Sequence, residues 1–130
     1  MTIAEASKKY EISADTLRYY ERIGLIPPVP RNKSGIRDYE EDSCRWIELM
    51  KCMRSAGVRI EALIRYVALV QQGDDTLEER RMLLMEQREQ LMARMEDMQR
   101  PLERLNGKIM GYEEKIRTQR EGMPLDKGEP

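Results

Sequence analysis

Apolar residues in the first 73 positions fall in short clusters, whereas those of the next 45 or so follow one long, even rhythm. Ile3 and Ala6 stand three apart behind Thr2, whose hydroxyl suits an N-cap, and predict a first helix over about residues 2–9. The corner "EIS" comes next. Ser13 can then cap a second helix over about 14–23, with Leu17 and Tyr20 on its inner side. Gly24 suits the left-handed residue after that helix, and Pro27-Pro28 forbid its resumption. Two short helices joined by about three residues make a helix-turn-helix, a hairpin too common to mean much alone.

The segment after the prolines narrows the reading. "VPRNKSGIRDY" holds a turn cluster, Asn32 to Gly35, between Pro30-Arg31 and Ile36-Arg37, and predicts a small hairpin, or wing, over about 29–39. A third helix is expected over about 40–56, with Trp46, Leu49, Met50 and Met53 as its buried side and Gly57 after it. A fourth, over about 59–72, carries Ile60, Leu63, Ile64 and Val67 on one face and ends at Gly73.

From Asp74-Asp75-Thr76 the pattern changes. Leu91, Met95, Met98, Leu102, Leu105, Ile109, Tyr112 and Ile116 recur at intervals of four and three, a heptad seam that Leu84 and Leu77 extend upstream. Arg81 and Arg88 occupy the other row there. A helix over about 74–121 would be roughly 70 Å long at 1.5 Å per residue. Nothing in residues 1–73 could cover such a seam; a second copy of the chain could. Pro101 costs about 3 kcal/mol in a helix interior, but the seam keeps its phase across it, so a kink is expected there. Residues 122–130, with two prolines and two glycines, are expected to be a disordered tail. The expected organisation is therefore a domain over 1–73, a dimerisation helix over 74–121, and the tail.

Composition supports an extended helical protein. Charged residues make up 36% and aromatics 5%, without a phenylalanine, which is lean for a compact globule. The net charge of -1 conceals a basic segment: Arg18, Arg22, Arg31, Lys33 and Arg37 face only Glu21 between Thr16 and Arg37. Two cysteines and no histidine argue against a metal site, and no cofactor motif is present. With no histidine, phosphate-binding glycine loop or paired carboxylates, an enzyme is not expected. No membrane span or signal peptide is evident, so a cytoplasmic protein with reduced thiols is the expectation.

The "TLRYYERIGLI" helix end, the "RN.SGIRDY" wing and the long heptad helix together resemble the MerR family of bacterial transcription regulators, over nearly the whole chain. "KCMRSAGVRIEALIRYV" is similar to the aldehyde- and electrophile-responsive NmlR/AdhR-type subgroup. The resemblance implies a mainly α fold: a winged helix-turn-helix DNA-binding domain, then a long C-terminal helix forming an antiparallel coiled-coil dimer. It also implies a homodimer that binds a near-palindromic site in double-stranded promoter DNA and distorts it, acting on RNA polymerase indirectly.

The same resemblance points to candidate site residues. Ser13, Thr16 and Arg18 lie at the start of the second helix, where Thr16 and Arg18 have the reach for base edges. Tyr19, Tyr20, Arg22 and Tyr39 would lean on the DNA backbone, although the Tyr20 ring serves equally well as core. Arg31, Lys33 and Arg37 would grip flanking phosphates, with Glu21 orienting a neighbouring arginine. Dimerisation is assigned to Leu84, Leu91, Met95, Met98, Leu102, Leu105, Ile109 and Tyr112. Cys44 and Cys52 are eight residues apart on one helix, about 12 Å along its axis and 80° around it, too far to pair. The resemblance makes Cys52 the electrophile sensor, expected at the core's edge. Lys51 and Arg54 would favour its thiolate there, against the helix dipole. Cys44 is expected outside, among Glu40, Glu41 and Asp42. Two alternatives stand beside this reading: a regulator responding to a small apolar ligand at the dimer interface, and a coiled-coil interaction protein without DNA binding.

Overall fold

The first two helices begin where a side chain can satisfy the free amides of an opening turn. In the computed structural model, which describes residues 1–122, α1 (Ile3–Tyr10) opens on a capping box. Glu5 N–H donates to Thr2 Oγ1 at 3.1 Å, and Thr2 N–H donates to Glu5 Oε1 at 2.9 Å. α2 (Ala14–Ile23) opens on Ser13, whose Oγ accepts from Thr16 N–H at 3.1 Å. It closes at Gly24, where φ is 82° and Leu25 N–H reaches back to the Tyr20 carbonyl at 2.9 Å.

α3 (Glu41–Ser55) and α4 (Ile60–Gln72) begin without a side-chain cap. A 3₁₀ turn at Asp74–Thr76 leads into α5 (Leu77–Arg120). Pro101 lies inside α5 and does not end it. The expected tail lies, from residue 123 on, outside the described residues; Gly122 is in a turn.

The core joins Ala6 of α1, Leu17 of α2, Ile47 and Met50 of α3, and Leu63 and Val67 of α4. The connection after α2 belongs to it too. Leu25, Ile26 and Val29 are all buried, so "GLIPPV" folds inward between its prolines. The buried side of α3 differs from the expected one. Met50 is inside, but its companions are Ser43, Cys44 and Ile47, while Trp46, Leu49 and Met53 are only half-buried. The reason is that α3 has two apolar sides. One meets the core; the other lines a groove of about 290 Å³ with Val58, Tyr66, Leu84 and Leu91. Trp46 meets Tyr66 across that side, ring centres 5.9 Å apart and planes tilted by 57°.

Met1–Leu91 form one compact unit, and the chain from Met92 onward belongs to a second. The start of α5 is therefore part of the N-terminal body. In the second unit α5 buries none of its residues: Met95, Met98, Leu102, Leu105, Ile109 and Tyr112 are all exposed. No strand occurs among the described residues, and the wing closes through a single antiparallel bridge, Arg31 to Arg37.

Candidate nucleic-acid interface

Arg18, Tyr19 and Arg22 share the outer side of α2, because residues three and four apart on a helix are neighbours. Tyr19 is exposed, and the Arg22 guanidinium lies 5.2 Å from its ring centre. Arg18 is steadied by Asp15 through Nη1 to Oδ1 at 2.9 Å, an exposed pair that a stronger anion could displace. Asp15 carried no signal in the sequence beyond its spacing of three. Ser13 and Thr16 both serve the cap: Ser13 Oγ also donates to Thr16 Oγ1 at 2.8 Å. Tyr20 is half-buried against the core.

The wing is held by Asn32. Its Oδ1 accepts the N–H groups of Ser34 and Ile36 at 2.9 and 3.1 Å, and Gly35 takes the turn at φ 78°. Arg31 and Lys33 are exposed on this hairpin, and Arg31 Nη1 donates to the Gly35 carbonyl at 2.8 Å.

Arg37 is different, since its Nε donates to Glu21 Oε1 at 2.6 Å. Glu21 Oε2 accepts Val29 N–H at 2.9 Å, so this one carboxylate ties α2, the inward-folded connection and the wing together. Burial pushes the Glu21 carboxyl up. The hydrogen bonds from Arg37 and Val29, with the charges of Arg37 and Arg31, outweigh it and hold the group below its ordinary value. The expected role of Glu21 as an orienter thus has a partner, and Arg37 is a wing anchor before it is anything else.

Tyr39 does not join this surface. It is 1% exposed and its hydroxyl has no hydrogen-bond partner. Its N–H donates to the Met1 carbonyl at 2.8 Å and its carbonyl accepts from the Met1 ammonium at 2.8 Å. That clip draws the ring into the core, and burial pushes its phenol up. The expected backbone contact is therefore corrected to a core residue.

The cysteines exchange the places expected of them. Cys44 is buried against the Tyr10 side, whereas Cys52 is exposed. The cations next to Cys52 in sequence are engaged elsewhere. Lys51 Nζ donates to the Tyr10 carbonyl at 2.6 Å, and Arg54 Nη1 to the Val58 carbonyl at 2.8 Å. Helical spacing explains this, since neighbours one and two apart point to different sides. Among the described residues no group of histidine, cysteine and carboxylate side chains could hold a metal ion, and no helix is long and apolar enough to cross a membrane.

Residues 1–69, which include α2 and the wing, match the description "MerR HTH family regulatory protein". The chain belongs to the MerR family. It is similar to the HTH-type transcriptional regulator AdhR of Bacillus subtilis (strain 168), with 54% identity over 92 residues, covering 71% of this chain and 66% of that one. The match thus spans just under two thirds of AdhR. A crystal structure of a putative MerR family transcriptional regulator from Listeria monocytogenes superimposes with a TM-score of 0.88 at 49% identity, over 94% of this chain and 92% of that one. HiNmlR, described as a MerR family regulator lacking the sensor domain and bound to promoter DNA, gives 0.78 at 31% identity, over 94% of each chain. The family is one of helix-turn-helix regulatory proteins, and these relatives are regulators, not enzymes.

Proposed function

We propose that this MerR-family protein acts in the cytoplasm as a homodimer on a near-palindromic promoter site. Each copy sets α2 in a major groove and its wing against flanking phosphates, and distortion of the DNA between them governs RNA polymerase. The observation that carries this reading is the shared outer surface of Arg18, Tyr19 and Arg22 beside the cationic wing, the two joined through Glu21. Arginine forks read guanine edges, while tyrosine and the remaining cations position the protein on the backbone.

Dimerisation through α5 is supported by the exposed seam. Leu84 and Leu91 line the apolar groove and keep the heptad phase of that seam in sequence. Cys52 is proposed as the thiol that reports aldehydes or other electrophiles. Its exposure supports access, and the similarity to AdhR supports the subgroup. Activation by Lys51 or Arg54 forms no part of the proposal, because both are held by carbonyls. The groove of about 290 Å³ favours a second reading, in which a small apolar ligand settles there and shifts the dimer.

The test is binding by Arg18→Ala. The variant should lose about 1–3 kcal/mol per half-site on the cognate site and much less on random duplex, measured by fluorescence anisotropy at fixed salt. Equal losses on every sequence would reduce Arg18 to a phosphate contact and sink the base-reading role.

A further inference from the structure

The C-terminal end of α4 leaves carbonyls without helical partners, and the side chain that reaches them comes from α5. Arg80 Nη2 donates to the Gly73 carbonyl at 2.5 Å and lies 3.5 Å from the carbonyls of Leu69 and Val70. Its Nε donates to Thr76 Oγ1 at 2.9 Å. Thr76, itself buried, turns its hydroxyl to the carbonyls of Leu69 at 2.6 Å and Gly73 at 2.8 Å. The Arg80 side chain is only 15% exposed. A planar guanidinium so placed has few alternative positions, and its charge suits the negative end of α4. Gly73, at φ 103°, supplies a turn that other residues rarely adopt.

α4 and the start of α5 also face each other through apolar residues that line one groove, Leu63 and Tyr66 with Leu83 and Leu84. Beyond the junction they enclose an open hollow of about 650 Å³ between Ala62 and Arg65 on one side and Met82 and Leu83 on the other. The other polar tie across it, Arg65 to Glu79 at 3.3 Å, is between exposed side chains and is weak. The clasp of Arg80 and Thr76 on the end of α4 is, by contrast, a largely buried polar connection.

We propose that Arg80, acting through Thr76 and the Gly73 carbonyl, is the positioning residue that fixes the direction in which α5 leaves the DNA-reading body. Through it the clasp fixes the half-site separation that the dimer accepts. This rests on the reading of the protein as a dimeric DNA-binding regulator. Two recognition helices joined by a fixed arm discriminate sharply between separations, and a loosened arm does not.

The experiment compares the full-length parent, Arg80→Met, Arg80→Lys and Thr76→Val on duplexes carrying one selected half-site, or two at graded separations. Inserting two base pairs turns one half-site by about 70° at 10–10.5 base pairs per turn, and parent affinity should fall by about tenfold or more. In Arg80→Met, which keeps the apolar stem but no donors, that penalty should shrink to under about threefold, while single half-site affinity and helix content stay at parent values. Thr76→Val should behave alike, and Arg80→Lys should fall between. A parent-like spacing profile in Arg80→Met overturns the proposal. So does a parallel loss on the single half-site with lost helicity, which would make Arg80 merely structural. If the parent protein shows no spacing preference at all, the dimeric reading itself fails, a result distinct from either.

Discussion

Cutting the link between Glu21 and Arg37 should separate the wing from α2 without touching a residue proposed to read bases. The pair sits at 2.6 Å with side chains 15% and 25% exposed, between the regimes of a solvated and a fully buried ion pair. An exposed pair contributes about 0–1 kcal/mol, and breaking a buried one costs about 3–5 kcal/mol. A hydrogen bond to a charged group contributes about 1.5–3 kcal/mol, which is the coupling expected here. Glu21→Gln keeps an acceptor for Val29 N–H and removes the charge; Arg37→Gln removes the other half. A double-mutant cycle on urea unfolding, at one fixed protomer concentration, isolates the pair. The sign with pH is also set. The Glu21 carboxyl is held below its ordinary 4.5, so its contribution is complete above that value and is lost as pH falls through the lower folded one. Glu21→Gln should therefore flatten part of the acid limb of the parent's stability curve. A coupling below about 0.5 kcal/mol, the ordinary scatter of additive sites, would refute the claim that this carboxylate holds the wing.

Replacing Leu91 and Leu105 together by glutamate should abolish dimers in analytical ultracentrifugation and weaken DNA binding with them; a double variant that stays dimeric removes the seam assignment. Cys52→Ser should bind the operator normally and fail to switch transcription on aldehyde challenge. In the same experiments a maleimide should label exposed Cys52 before buried Cys44, and a normal aldehyde response would leave Cys52 as surface only.

Local chemistry was the legible part of the fold. Ser13 and Gly24 bracket α2 because capping acts within one turn, and the seam after Leu91 is visible because its period repeats. Long-range packing was not legible. Tyr39 looks like a surface phenol after a basic hairpin, yet it is clipped to Met1 and buried, a contact 38 residues apart. Cys44 and Cys52 were misplaced because α3 has apolar residues on two sides, and periodicity alone does not say which meets the core. Arg80 left only a faint local pattern, its spacing of four from Thr76. The carbonyls it reaches lie 7 to 11 residues upstream. Of the candidate interface, Arg18, Tyr19, Arg22, Arg31 and Lys33 sit on the surface as the sequence suggested, whereas Arg37 is committed to Glu21.

The central claim is that two copies of α2 and its wing read two related half-sites on one duplex. Selection of bound duplexes from a randomised library by the full-length protein, with sequencing of the survivors, tests it most directly. The account predicts enrichment of an inverted repeat at a single separation, and loss of the enriched base identities when Arg18→Ala is used instead. Enrichment of a lone unpaired element, or recovery of nothing above random sequence, would contradict it.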